Sequence, residues 1–373
     1  MRADYVVVGA GVHGATAAWH LAQGNREVLV LEAATVASGA SGGPGERGVR
    51  ANGRDPRELP LLPLAYERWD EFAGRIGGST GYRRLGQLEL IEREEDLTSA
   101  MKRVELQRRH GIPTELLDSS ALRRLEPEVS GAIVAATYCP MDGVADHTAT
   151  TLAVAGAARR VGAELLEHTK VTGLRASGGA VVAVQTRAHE VLVGRAVIIA
   201  CNTATADLLA PLGVRLPTFS VFPQVLVTEQ IDAPPVHHLI GHAHRPLAIK
   251  ALPDQRLMIT GGRVGTWDDR SQRGVVDAAQ VAANLADAVS AFPCLAGAEL
   301  SMTVADRAES VSPDMVPIVD RLPGVSNAFV ATGWSGHGWA IAPVVGELLA
   351  EWVVNGAPPA LLAPFAVSRF APS

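Results

Sequence analysis

The sequence predicts an α/β fold in which a parallel layer is interleaved with a second part built on an antiparallel sheet and α+β in character. Three observations carry this prediction. The chain opens on the β-branched run Tyr5-Val-Val-Val8, which enters Gly9-Ala-Gly11-Val-His-Gly14 and then an apolar, Ala-rich stretch. It closes on Ala331-Thr-Gly333-Trp-Ser-Gly336-His337-Gly338, a polar glycine turn leading into a second apolar helix. Between the two ends, residues 216–301 show short strand patterns without the strand–helix alternation of the termini.

Tyr5–Val8 reads as a buried parallel strand. Gly9 permits the tight turn, Gly11 lets the backbone approach a pyrophosphate, and Gly14 lets the helix pack close to the strand. Ala15 to Ala22 is then a helix whose N-terminal N–H groups and dipole face the phosphates of a Rossmann-like dinucleotide cradle. Glu27–Glu32 is the second strand. Glu32 at its end is placed to accept from ribose hydroxyls, and an acid there favours a free ribose over a 2′-phosphate.

Residues 35–60, including Ser41-Gly42-Gly43-Pro-Gly45-Glu46-Arg47-Gly-Val-Arg50, read as a long loop of the kind that carries function. Residues 61–77 are helical, 80–92 alternate as a strand, and 93–127 carry charged helical segments capped by Ser119-Ser120. Thr148 to Val161 is an Ala-rich helix. Short strands follow, ending in Ala196–Ala200 and the turn Cys201-Asn202-Thr203. Strands are expected at Val221–Thr228, Leu247–Leu252 and Leu257–Thr260, with a hairpin at Pro253-Asp254-Gln255 and a helix from Asp277 to Phe292. Phe329–Thr332 is the last strand, and Ala340–Val354 is the last helix, stopped near Gly356-Ala-Pro-Pro. The nucleotide-binding part is expected to comprise 1–82, 142–215 and 302–373, and the second part 83–141 and 216–301.

A chain of 373 residues holds two domains with real cores. Its formal net charge of −6 points away from nucleic acid and anionic membrane surfaces. No leader precedes the first strand, and no apolar run approaches the roughly 20 residues of a membrane span. The three cysteines, Cys139, Cys201 and Cys294, are scattered and odd in number, which fits a reduced cytoplasmic protein with all three as buried small hydrophobes. No CxxC or HExxH spacing is present, so no metal site is expected.

Five segments together carry a resemblance over essentially the whole length. They are Val8–Gly14 with Glu32, the Ser41…Arg47…Arg50 loop, Ser312-Pro-Asp314-Met-Val-Pro317-Ile-Val, Ala331–Gly338, and Ala342-Pro-Val-Val-Gly346-Glu347-Leu-Leu. They resemble the D-amino-acid oxidase superfamily of FAD enzymes, and within it the sarcosine oxidase and glycine oxidase branch. The resemblance implies an FAD domain drawn from three stretches and a substrate domain. It further implies oxidation of the C–N bond of an amine or amino-acid-like substrate to an imine, by hydride transfer to flavin N5 and then hydrolysis. Oxygen or another acceptor would take the electrons.

By the same resemblance, Ser41, Gly42, Gly43 and Val171 join Gly9, Gly11, Gly14 and Glu32 as cofactor residues. Gly333, Trp334, Ser335, Gly336, His337 and Gly338 fall by the flavin pyrimidine ring, where N–H groups and the helix N-terminus would stabilise negative charge. Arg47 falls beside the flavin and Arg50 faces the substrate; solvation in a surface loop and contact with FAD phosphate are the competing readings. His337 is open between catalysis and hydrogen bonding within the turn.

Covalent relatives attach flavin through a cysteine where this chain has Arg307, so non-covalent FAD is expected. Relatives that clamp a substrate carboxylate use an arginine at the position of Glu309 or a lysine at that of Ala340. Glu309 is therefore open between meeting a cationic amine and being a surface acid. Lys250, one of three lysines, is open between facing the flavin and lying solvated on its strand. A non-catalytic or heteromeric flavin-binding subunit and a nicotinamide-dependent dehydrogenase are the alternatives. The expected partner is a small-molecule amine, with a homo- or hetero-oligomer possible.

Overall fold

The computed structural model describes residues 1–43 and 45–371. In the first sheet, Arg2–Val8 lies between Val28–Leu31 and Glu190–Ile199, and all three run parallel. Glu164–Leu166 extends the sheet beyond Val28–Leu31. Ala328–Thr332 lies on the far side of Glu190–Ile199 and pairs back with Ile318–Arg321. The antiparallel pair Val171–Ser177 and Ala180–Thr186 hangs on the early half of Glu190–Ile199. The first strand is apolar on both faces because both are covered. Tyr5 and Val7 pack against the helices Val12–Ala22 and Gly338–Asn355, whereas Val6 and Val8 pack on the other side with Leu29 and Leu31. The two helices approach so closely that a Cβ on Gly346 would come 2.6 Å from the Thr16 side chain.

The second sheet runs in the order Leu300–Val304, Val225–Thr228, Leu257–Thr260, Ala248–Ala251, Leu239–His242, Gln87–Ile91, Ala135–Cys139, Glu115–Asp118. One face, with Leu88, Leu90, Ile240, Ile249 and Ile259, packs beneath the helix Ala278–Ala291 and Phe292. The opposite face looks toward the first domain. A small sheet of Glu46–Val49, Gly143–Asp146 and Arg83–Arg84 lies between the two.

Several expectations are corrected. The 35–60 stretch contains a strand, Glu46–Val49, because its partner lies almost a hundred residues further on. The 80–92 strand breaks at Gly86, which has φ 74°. Asp118, not Ser119, caps the helix Ser119–Leu125, accepting from Ala121 N at 2.7 Å. Val221–Thr228 is interrupted around Pro223, which has no N–H to give a ladder. Leu300–Val304 belongs to the second sheet, so the 301/302 boundary cuts a strand. Of the cysteines, Cys139 is buried but Cys294 is exposed. No single helix is long and apolar enough to cross a membrane.

Candidate active site

A cavity of about 870 Å³ runs from the first strand–helix turn to the open face of the second sheet. At its near end the glycines behave as their spacing predicts. Gly9 has φ 101°, and a Cβ there would meet Ala200 O at 2.5 Å; one on Gly14 would meet Gly9 O at 2.0 Å. Gly11 is different: a Cβ there would meet nothing within 4 Å and would point into open space. Glu32 lines the same end, and its carboxylate is held by Ala10 N at 2.7 Å and Ala34 N at 3.0 Å. Val171 also lines it.

The middle of the cavity is closed by a clasp. Glu309, only 6 % exposed, accepts from Gly336 N at 2.9 Å through one oxygen and from Ser41 Oγ through the other. Burial pushes its carboxyl upward, opposed by these bonds and by Arg47. Asn202 fixes the strand that carries it, giving and receiving bonds with Ala308 O and Ser310 N at 3.0 Å each. Glu309 is therefore not a surface acid: each of its oxygens is already bonded, and together they join the early loop to the C-terminal turn.

Arg47 belongs to the same clasp, donating to Ser41 O at 3.1 Å, Glu46 O at 3.0 Å and Gly43 O. Burial lowers its pKa to about 10, which leaves it charged at neutral pH and rules out a solvated surface position. Gly42 and Gly43 take φ of 68° and 74° to let the loop fold around it.

The C-terminal turn is stitched to its neighbours. Ser335 N donates to Ser310 O, Gly336 N to Glu309, and His337 N to Trp334 O. Three of the turn's N–H groups are thus spent within the protein. The first-turn N–H groups of the helix that starts at Gly338 have no intrahelical partner, and that end carries the positive pole of the helix dipole. Gly333 takes φ 66°, and its Cβ position is hemmed in by Ile318 and Ser312. Trp334 stacks on His13, with ring centroids 3.5 Å apart and planes at 15°. His13 Nε2 lies 3.2 Å from Gly338 O, and burial drops its pKa to about 3, so the neutral ring donates to that carbonyl. His13 thereby locks the two glycine motifs to each other, a role that sequence inspection missed although a polar side chain inside the Gly11–Gly14 turn was the available signal. Asp314, held by Arg57 at 2.7 Å and Arg369 at 3.0 Å, anchors the Ser312–Pro317 motif from outside the cavity.

His337 Nδ1 lies 3.2 Å from Glu58 Oε2, an approach of opposite polarity more than an aligned hydrogen bond. Glu58 is fully buried with Arg54, 3.1 Å away. Burial opposes charge on Glu58, but Arg54 and His337 outweigh it and hold its carboxyl below the usual range. Burial lowers the His337 pKa as well.

At the far end, Arg50, Lys250, Gln87 and Glu89 all line the cavity. Lys250 is not a solvated strand residue: it is 6 % exposed, and burial, with Arg47 and Arg50 nearby, lowers its pKa to about 7. Among the described residues the Arg50 guanidinium donates only to Asn52 O.

Beside the cavity, Glu92, His242 and His244 offer polar atoms within 4.8 Å of one another. Arg245 already holds Glu92 at 2.7 Å. His242 Nδ1 accepts from His244 N and Arg245 N, which leaves the ring proton on Nε2. The cluster reads as a charge network and not as a ligand set for a metal.

The cavity fits a dinucleotide cofactor by two tests. Gly11 and Gly336 leave room that side chains would fill, and two buried polar atoms that line it, His147 Nδ1 and Trp339 Nε1, have no protein partner. A cradle at one end of the chain, clasped to a helix N-terminus at the other, defines a flavin-dependent enzyme. The profile of the family "FAD dependent oxidoreductase" matches residues 4–352, and the chain belongs to that family. It is an FAD-dependent oxidoreductase, and the match sets aside the nicotinamide-dependent dehydrogenase.

The chain is 26% identical to the sarcosine oxidase subunit beta of an Arthrobacter species over 376 residues, covering 98% of this chain and 91% of that protein. It is 28% identical to the glycine oxidase of Geobacillus kaustophilus, covering 99% and 97%. Among solved structures, that of glycine oxidase from Geobacillus kaustophilus matches with a TM-score of 0.86 at 26% identity over 100% of both chains. The L-proline dehydrogenase from P. horikoshii matches in fold with a TM-score of 0.89 at 24% identity, over 99% of this chain and 98% of that one.

The open space at Gly11 gives a direct test of the cradle. Gly11→Ala is expected to fold with a stability within about 1 kcal/mol of the parent, since Gly11 sits at a helix N-cap and meets no protein atom. FAD affinity, read by flavin fluorescence on titration, is expected to fall at least about tenfold, roughly 1.4 kcal/mol. Unchanged affinity would remove Gly11 from the cofactor site.

Proposed function

We propose that the protein oxidises the C–N bond of an amine or amino-acid-like substrate to an imine, which hydrolyses in water. The observation that supports this most is the continuity of the cavity: the space along the cradle and the Gly336–Gly338 turn opens directly onto the sheet face carrying Lys250, with Arg50 beside it at the end of the strand Glu46–Val49. Bound FAD supplies the acceptor for the hydrogen and the two electrons that leave the substrate carbon. Arg47 contributes a fixed positive charge on the cofactor side, and the helix that begins at Gly338 adds the positive end of its dipole. Among the described residues neither Arg50 nor Lys250 makes a direct ion pair with an acid, although Glu89 and Glu46 act on them from further off, and both are suited to orienting a substrate carboxylate. They take over the task that Glu309 and Ala340 cannot perform. Non-covalent attachment of FAD is supported by Arg307 at the position where covalent relatives carry cysteine.

The test is anaerobic reduction. The purified yellow protein is mixed without oxygen with sarcosine, glycine, proline, D-amino acids, N-methylated amines and polyamines. Bleaching near 450 nm by one class is the expected result, and readmitted oxygen then separates an oxidase from a dehydrogenase. A flavin that no amine bleaches would overturn the reading in favour of a non-catalytic subunit.

A further inference from the structure

Glu89 is the third residue of the strand Gln87–Ile91. Leu88 and Leu90 on either side are completely buried in the core beneath the sheet, so Gln87 and Glu89 face the cavity. The pairing places Glu89 beside Gly241, Gly241 beside Ala248, and Ala248 beside Thr260. Two of the smallest side chains therefore separate Glu89 from Thr260 and leave a shallow floor between them. The carboxylate leans over this floor: a Cβ on Gly241 would come 3.3 Å from Glu89 Oε2 and 3.0 Å from Gln87 Nε2.

Nothing in the protein satisfies this carboxylate. Among the described residues it has no hydrogen bond, and Arg50 and Arg103 act on it only as more distant charges, each bonded to a backbone carbonyl instead. Burial pushes its carboxyl above the usual range. The other acids around the cavity are engaged: Glu309 by Ser41 and Gly336, Glu32 by two backbone N–H groups, Glu92 by Arg245. Glu89 is half-buried with its carboxylate open to the cavity, and an acid so placed is best completed by something charged or protic that enters the cavity.

We propose that Glu89 receives the substrate's nitrogen as a primary or secondary ammonium, above the Gly241–Ala248 floor, and takes its proton so that the amine is neutral when its carbon is oxidised. The inference rests on the amine reading above and deepens it. One N–H bond breaks and one O–H bond forms on the Glu89 carboxylate. The ammonium–carboxylate pair becomes an amine and a carboxylic acid, and no electrons move in this step. A site that excludes water favours the transfer, because two buried charges are exchanged for two neutral groups. Arg50 is the neighbouring cation: a Cβ on Gly53 would come 3.0 Å from its Nη1 and 3.8 Å from Glu89 Oε2, so a carboxylate on the same substrate would meet Arg50 while its nitrogen meets Glu89, and the pair reads a zwitterion.

Glu89→Gln and Glu89→Asp test this in the holoenzyme, with whichever of sarcosine, glycine or proline bleaches the wild-type flavin. Both variants are expected to keep the wild-type flavin spectrum and cofactor retention. Glu89→Gln is expected to be bleached at least about 100-fold more slowly at pH 7. Its rate should then climb about tenfold per pH unit as free amine accumulates, a climb that wild type and Glu89→Asp lack. Wild-type rate and pH profile in Glu89→Gln would overturn the proposal, as would a loss that is uniform across pH, which marks a structural role. Weakened saturation by that substrate with an unchanged limiting rate and pH profile would make Glu89 a binding residue only and would also overturn it. If no amine bleaches wild type, the amine reading fails first and takes this assignment with it; if amines bleach wild type and Glu89→Gln alike, only the assignment fails.

Discussion

Glu309→Ala is expected to cost the protein its cofactor while Glu309→Gln retains it. The alanine variant leaves the Ser41 hydroxyl and the Gly336 N–H facing each other across a gap, each without its partner. Unmaking buried bonds of this kind costs about 2–4 kcal/mol in stability, more than the mean value of a hydrogen bond, because the orphaned groups stay desolvated. Ser41 O also anchors the Arg47 guanidinium, so the loop that carries this charge loosens with it. An FAD affinity at least about 100-fold lower follows, near 2.7 kcal/mol. Glutamine offers a carbonyl to Gly336 N and an amide to Ser41 Oγ, preserving both contacts without a buried charge. Burial raises the Glu309 carboxyl, so the charged form is disfavoured on folding, and loss of its charge is expected to cost less than loss of the two bonds. Equilibrium dialysis of FAD and urea melts of both variants check this. Loss of flavin from the glutamine variant as well as the alanine variant would show that charge, not bonding, is what the clasp supplies.

The clasp also shows where reading the sequence stops. Gly9, Gly11, Gly14 and Glu32 were legible because their roles are local: each is fixed by the strand and helix that flank it, and the structure places Gly9, Gly11 and Glu32 at the cavity and Gly14 in the close packing of helix on strand. Glu309 was not, because its partners Ser41 and Gly336 come from opposite ends of the chain, and only the folded clasp shows that both oxygens are taken. His13 and Trp334 meet across a similar separation. Lys250 and Glu89 failed for another reason. Alternation identified their strands and separated apolar from polar faces, but a polar face ordinarily meets water. Here the first domain covers that face, and the residues that alternation assigns to solvent line a cavity instead. The strand Glu46–Val49 was hidden because a four-residue, glycine-bearing segment has no periodicity of its own and exists through its pairing with Gly143–Asp146.

Lys250→Met is expected to make the protein more stable and a poorer enzyme. In the folded state burial lowers the lysine pKa to about 7, against 10.5 for an ordinary lysine. Between those values the unfolded chain binds the proton more readily than the folded one, so stability rises with pH across the window. The charged side chain weighs on the fold most at and below pH 7, and its cost fades as pH approaches 10.5. Each pKa unit corresponds to about 1.4 kcal/mol, and with partial relaxation a gain of about 2–4 kcal/mol from Lys250→Met is expected at pH 7. Met258 lies directly across the strand pair, so a second methionine adds to an apolar surface already present. Turnover is expected to fall at least about tenfold, because the cation that faces the substrate space with Arg50 is gone. Urea unfolding of wild type and variant at pH 7 and pH 10 reads the sign: the advantage of the variant must shrink at the higher pH. A variant that is less stable at pH 7 and turns over normally would make Lys250 a packing residue. The combination expected here, stability gained and activity lost at one position, is the mark of a charge held in a costly place for its chemistry.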